Sequence, residues 1–225
     1  MKLKGTTKNP IFIIGLGGLA ALGFNNWLLG PWLNQYLFSH NGSVSELSAL
    51  TQPHHNVFRL LDVLSGVLFV VLARLLSKLP ASTSRWRQTM LYGLIILGLA
   101  NILDAGLPLK CSETLDRGCT IPVSLSPSHL QLPSHAYSSV TIAVCYFVLP
   151  LAGFFFAFAR KFRFLGILST LAILVALFSF ISAVTGYLSQ HSLSVRTSGA
   201  GQEIQMLVIG AWLVAWCWSA SRPSS

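Results

Sequence analysis

The stretch NVFRLLDVLSGVLFVVLARLLSKL, residues 56–79, is long and apolar enough to cross a bilayer, yet it carries Arg59 and Asp62 within its first two turns. A helix of about 20 apolar residues covers roughly 30 Å of hydrocarbon. Charged side chains inside such a segment are costly, so these two need partners or a water-filled pocket.

Outward from this stretch the same pattern recurs. Of the 225 residues, 53% are hydrophobic and only 9% charged, a profile far from that of a soluble domain of this size. Apolar runs with short polar breaks give an all-α polytopic membrane bundle of six transmembrane helices. The chain reads as one integral membrane domain over residues 1–225, with spans at about 11–31, 56–79, 89–108, 135–159, 164–188 and 203–220. The first apolar run extends to about Phe38, and Trp27, Trp32 and Tyr36 mark its far interface. Within it, Gly15-Leu-Gly17-Gly18-Leu-Ala20 has the form of a dinucleotide-binding fingerprint, but the run stays apolar through Phe24. Small residues there serve close helix packing. A cleaved signal peptide is the second reading of this segment, and it leaves the orientation of the later spans unchanged.

The formal net charge of +9 must be read by position along the membrane normal. There is no basic stripe with interleaved aromatics, so nucleic acid is not an expected partner; membrane lipids are. With a cytoplasmic amino terminus, Lys2, Lys4, Lys8, Arg74, Lys78, Arg85, Arg87, Arg160, Lys161, Arg163 and Arg222 lie inside, and only Arg59, Lys110, Arg117 and Arg196 lie outside. This predicts both termini in the cytoplasm and points to a bacterial cytoplasmic membrane.

That orientation puts every acidic residue (Glu46, Asp62, Asp104, Glu113, Asp116, Glu203) and all six histidines on the outer half. Asp62 lies about 9 Å into its span, counted at 1.5 Å per residue, and Asp104 lies at a similar depth in the third. Arg59 stands at i−3 from Asp62 and is placed to pair with it, with Ser65 continuing the face. Asn101, Asp104, His135 and Ser139 are placed to line an adjoining surface. Arg59, Asp62, Asp104, His135, Ser139 and Glu203 thus form the candidate polar cluster. It is either a structural network that fixes helix registry or a pocket for a headgroup, ion or substrate.

Other chemistry finds less support. The histidines have no H-E-x-x-H or comparable compact spacing, so no metal and no cofactor is expected. His135 is close to Ser138 and Ser139, but there is no G-x-S-x-G elbow and no recognisable catalytic motif. Cys111 and Cys119 are the only cysteines of the outer loops and are expected to form a disulfide; Cys145 and Cys217 read as packing residues. Ser43-Val-Ser-Glu46 has the form of a capping box that opens a short helix in the first outer loop.

The residues Ser45-Glu-Leu-Ser-Ala49, Phe58-Arg59-Leu-Leu-Asp62, Gly66, Asp104, Pro108, Cys111, Asp116, Cys119, His129, His135 and Ser139 resemble the domain of unknown function nine-nine-eight family of multispan prokaryotic membrane proteins. A departure is Leu107-Pro108-Leu109, where an aromatic before the proline is expected. The resemblance implies a bacterial membrane setting and lends no activity. The expectation is a six-span integral membrane protein of unknown activity, with binding of a lipid or small ligand at the outer-facing polar cluster as its first candidate role and a noncatalytic protein favoured over an enzyme. The alternatives are an outer-facing hydrolase or transferase acting on a lipid or envelope substrate, and a small transporter. Transport is disfavoured because no ionisable residue lies near the midplane.

Overall fold

The computed structural model describes residues 10–40, 42–79, 84–119, 124–126, 129–131, 134–188 and 198–222. Lys2, Lys4, Lys8, His191 and Arg196 lie outside them, as does the side chain of His129.

The chain is an all-helical membrane bundle. Helices α1 (Pro10–Phe24), α2 (Gly30–Leu33) and α3 (Gln35–Ser39) are followed by a 3-10 turn at Val44–Ser48. Then come α4 (His55–Ser77), α5 (Arg85–Gly106), α6 (Ser134–Arg160), α7 (Arg163–Leu188) and α8 (Ser198–Ala220). Among the described residues, five helices are long and apolar enough to cross a membrane, or six if the bent pair Pro10–Phe24 and Asn26–Leu33 is one broken span rather than a re-entrant loop. Each long helix packs on its neighbours in sequence, and α1 closes on α8, so the six form a ring. One short antiparallel ladder pairs Ser124–Ser126 with His129–Gln131.

Helix α4 shows why this arrangement needs lipid. Leu60, Leu64, Val67 and Val71 repeat at helical spacing and are exposed, while Phe58, Ser65, Phe69, Leu72 and Leu76 are buried. Both faces are apolar, and an outward apolar stripe of this length is stable only against hydrocarbon. The interior is filled by Phe24, Phe58, Phe69, Trp212 and Trp216, all nearly inaccessible.

Small residues set the closest approaches. A Cβ on Gly66 of α4 would stand 2.5 Å from the Gly98 carbonyl oxygen of α5, and one on Gly98 would stand 2.5 Å from that of Gly66. The two backbones therefore cross in direct contact, the usual service of glycine in a membrane interface. The glycine-rich start of α1 is helix throughout, and of Gly15, Gly17 and Gly18 only Gly17 meets another helix, at Cys217. Cys145 and Cys217 are buried free thiols.

The first apolar run is broken by a bend of 59° after Phe24. Asn25 stands at the bend: its Nδ2 donates to the Ala21 carbonyl at 2.8 Å and, across the bundle, to the Met206 carbonyl of α8 at 3.2 Å. Asparagine readily competes with helix in this way. Trp27 is correspondingly not an interfacial anchor; it is buried and donates from Nε1 to Asn25 Oδ1 at 3.2 Å. Trp32 and Tyr36 are exposed.

The two ends of the bundle differ. One, the loop-rich end, carries residues 34–54 and the segment after α5. The other, the basic end, holds the α4–α5 and α6–α7 connections and the end of α8.

Candidate functional site

At the loop-rich end, Asp62 of α4 and Asp104 of α5 stand within electrostatic reach of each other, and Tyr146 of α6 is within reach of both. Asp62 sits on the helix face that turns toward the bend of the first apolar run. Its Oδ1 accepts from Asn26 Nδ2 at 2.6 Å, and the same amide donates to the Phe58 carbonyl at 3.3 Å. The second asparagine of the bend thus reaches into the ring to hold the carboxylate.

Arg59 does not pair with Asp62, contrary to the i−3 expectation. Its Nε donates to the Ala105 carbonyl at 2.8 Å and its terminal nitrogen to Asn56 Oδ1 at 3.4 Å. The last turn of α5, which ends before Pro108, leaves carbonyls without helical partners, and a cation at a helix carboxyl end satisfies them and meets a favourable dipole. That demand across the α4–α5 interface outweighs a pair along one helix. Ser65 and Asn101 are also diverted: Asn101 Nδ2 donates to Ser65 Oγ at 2.9 Å, and Ser65 Oγ donates to the Asp62 carbonyl at 3.0 Å.

Asp104 gathers the start of α6. Its Oδ1 accepts from Ser138 Oγ at 2.5 Å and lies 3.4 Å from Ser139 Oγ. His135 Nδ1 stands 3.2 Å from the same oxygen as an ion-pair contact without hydrogen-bond alignment, and its Nε2 is 3.3 Å from Ser139 Oγ. His135 and Ser139, one turn apart on α6, therefore meet Asp104 together. Glu203, in the second turn of α8, is half-buried, and among the described residues no hydrogen bond or ion pair joins it to the other five candidates. No three described His, Cys, Asp or Glu side chains converge in a way that could hold a metal ion.

Among the described residues both aspartates use one oxygen only: Oδ2 of Asp62 and Oδ2 of Asp104 accept no hydrogen bond. An ionised carboxylate can accept about four hydrogen bonds, so the pair retains acceptor capacity inside the bundle.

Glu46, outside the spans, is arranged differently. The Ser43 N–H and hydroxyl and the Thr114 hydroxyl donate to its Oε1 at 3.0, 2.9 and 3.0 Å. Its Oε2 accepts from the Thr114 N–H at 3.0 Å and from the Ser112 hydroxyl. Burial alone would push this carboxyl up; the bonds from Ser112, Thr114 and Ser43 outweigh it and hold Glu46 below its ordinary value. Asp116 accepts from the Thr51 hydroxyl at 2.6 Å and the Ser112 N–H at 2.7 Å, which hold it down as well. Cys111 and Cys119 are disulfide-bonded, with Cα atoms 6.0 Å apart, and close this segment on itself. The result is a clasp that locks the loop after α5 onto the 3-10 turn Val44–Ser48.

Sequence reasoning passed over Asn26 and Tyr146, and it read Glu46 as half of a capping box and one of the outer acids, without its partners Ser112 and Thr114. The available signal for Asn26 was the polar pair Asn25-Asn26 inside an apolar run, since intramembrane amides demand partners.

The family model described as "Protein of unknown function (DUF998)" matches residues 15–219. No curated protein and no solved structure matches the chain.

Proposed function

Since the chain belongs to the DUF998 family, whose description assigns no activity, we propose on the site geometry that it is a membrane-embedded binding protein. In this reading the carboxylates of Asp62 and Asp104 take a small ligand or lipid headgroup that carries an amine or another multiply donating group. The observation that carries it is the unused Oδ2 on each aspartate. No described Lys or Arg pairs with either carboxylate, because Arg59 is held by the Ala105 carbonyl. A bound ammonium group would supply the missing donors and offset the repulsion between two nearby carboxylates. The excess of cations at the basic end supports placing that end in the cytoplasm of a bacterial cell and the site toward the outer leaflet.

Retention of phosphatidylethanolamine by the detergent-purified chain, measured by native mass spectrometry against phosphatidylglycerol, tests the reading. The Asp62→Asn, Asp104→Asn double variant is expected to bind phosphatidylethanolamine about tenfold more weakly while remaining folded, the loss of one charged hydrogen-bond set. Undiminished retention would rule out the carboxylate pair as the site.

One observation favours a second reading, an outer-facing hydrolase or transferase. Ser139 Oγ, His135 Nε2, His135 Nδ1 and Asp104 Oδ1 follow one another at 3.3 Å and 3.2 Å, the order in which a base activates a hydroxyl nucleophile. The Ser139 hydroxyl is also 3.4 Å from Asp104 Oδ1, so its single proton is shared between two acceptors. Labelling by a fluorophosphonate probe decides: modification of Ser139 that disappears in His135→Ala supports the enzyme, and an unmodified Ser139 rejects it.

A further inference from the structure

We propose that the basic end carries a phosphate site, built by Arg160 of α6 with Arg87 of α5 and fitted to the headgroup of an anionic phospholipid in the adjoining leaflet. Arg87 and Arg160 lie at the same end of the α5–α6 contact, one residue from Trp86 and five from Phe155 respectively, whose rings stack on each other, and their like charges oppose each other. Arg87 is held in place by the end of α4, since its terminal nitrogen donates to the Leu76 carbonyl at 2.6 Å and the Leu79 carbonyl at 3.1 Å. Among the described residues Arg160 makes no such bond: the side chain is half-buried and its buried Nε has no hydrogen-bond partner.

A buried guanidinium donor is ordinarily met by a carboxylate. No acidic side chain is within reach here. The six acidic residues are Glu46, Asp62, Asp104, Glu113, Asp116 and Glu203. All belong to the loop-rich end or to the helix halves that lead to it. Among the described residues nothing neutralises these two arginines, and an anion from outside the chain would do so.

The surroundings identify its kind. Arg87 lies in the first turn of α5 and Arg160 at the last residue of α6, the level at which spans leave hydrocarbon for headgroups. The Trp86 and Phe155 rings stack beside them at 4.5 Å between centroids, and the Arg85 guanidinium lies 4.6 Å over the Trp86 ring. Farther round the same end, Arg222 lies 3.6 Å over Trp218. Aromatic rings with cations at this depth are the pattern of a membrane–water interface, where the available anions are lipid phosphates. The planar fork of arginine matches phosphate oxygens in pairs, which an ammonium does not.

The test uses the full chain purified in detergent, with dioleoylphosphatidylglycerol, dioleoylphosphatidylcholine and sodium phosphate as separate probes and thermal protection as readout. Phosphatidylglycerol is expected to protect the native chain, and Arg160→Gln to weaken its apparent affinity about tenfold, the worth of one directed hydrogen bond to a charged group. The neighbouring exposed Lys161→Gln removes the same charge and should leave that affinity nearly unchanged. Equal losses in Arg160→Gln and Lys161→Gln, or equal protection by phosphatidylcholine, would overturn the site. Arg160-dependent protection by sodium phosphate alone would overturn the lipid as its occupant. If Arg160→Gln fails to fold, Arg160→Lys stands in for it: it keeps the charge and loses the planar fork, so a partial loss supports the proposal and full affinity refutes it.

Discussion

Glu46 and the Asp62–Asp104 pair are both carboxylate sites of the loop-rich end, and they are completed in opposite ways. Glu46 accepts from two backbone N–H groups and three hydroxyls, spread over both of its oxygens. Asp62 and Asp104 each engage one oxygen and leave the other without a described donor. A carboxylate whose acceptor sites are filled by its own chain holds structure and has nothing left for a ligand. The difference separates a carboxylate saturated by its own chain from a pair that, on the proposed reading, is kept available.

The sharpest way to break this contrast is to remove Glu46. Glu46→Ala orphans several donors at about 1–3 kcal/mol each where water cannot replace the partner, so a loss of about 3–5 kcal/mol is expected in thermal or denaturant unfolding in detergent. A loss below about 1 kcal/mol would show that the clasp is not a stabilising element. A smaller effect comes from pH. Glu46 is held below its ordinary value of 4.5, so its contribution is complete above that pH and fades as acidification passes through the lower folded-state value. The melting temperature should therefore fall on acidification below about pH 4.5, and more steeply in the native chain than in Glu46→Gln. The smallest effect belongs to the other site. Asp62→Asn should leave stability within about 1 kcal/mol of the native chain or raise it, as expected for a residue retained for use. A large loss there would make the aspartate pair structural as well.

Hydropathy made the membrane bundle legible, because lipid permits little besides helices and each must be long enough to span it. The disulfide was legible from compartment and spacing. The partners of the charged residues were not. The expected Arg59–Asp62 pair rested on spacing along one helix, and the structure gives Arg59 to the carboxyl end of α5 because unmet carbonyls there need a donor. Asp62 is met by Asn26 from a bend that interrupts a run read as continuous, since hydropathy does not register a turn with two asparagines among apolar residues. His135, Ser139 and Asp104 do meet, while Asn101 turns to Ser65 and Glu203 stays apart from them. Local patterns reported which residues are polar and at what depth. Which helix faces which, and at what rotation, is decided by packing between elements distant in sequence.

The crossing of Gly66 and Gly98 bears on this in a mechanical way. Asp62 lies four residues, about 6 Å, from Gly66, and Asp104 six residues, about 9 Å, from Gly98, both on the same side of the crossing. Backbone contact at the glycines makes that point a fulcrum, and the two aspartates sit at the tips of a pair of calipers. A carbon in place of either glycine hydrogen would pry the helices apart at the crossing. The separation of the two carboxylates therefore depends on two positions a turn or more away from them, together with the Arg59–Ala105 and Asn101–Ser65 bonds beyond the crossing.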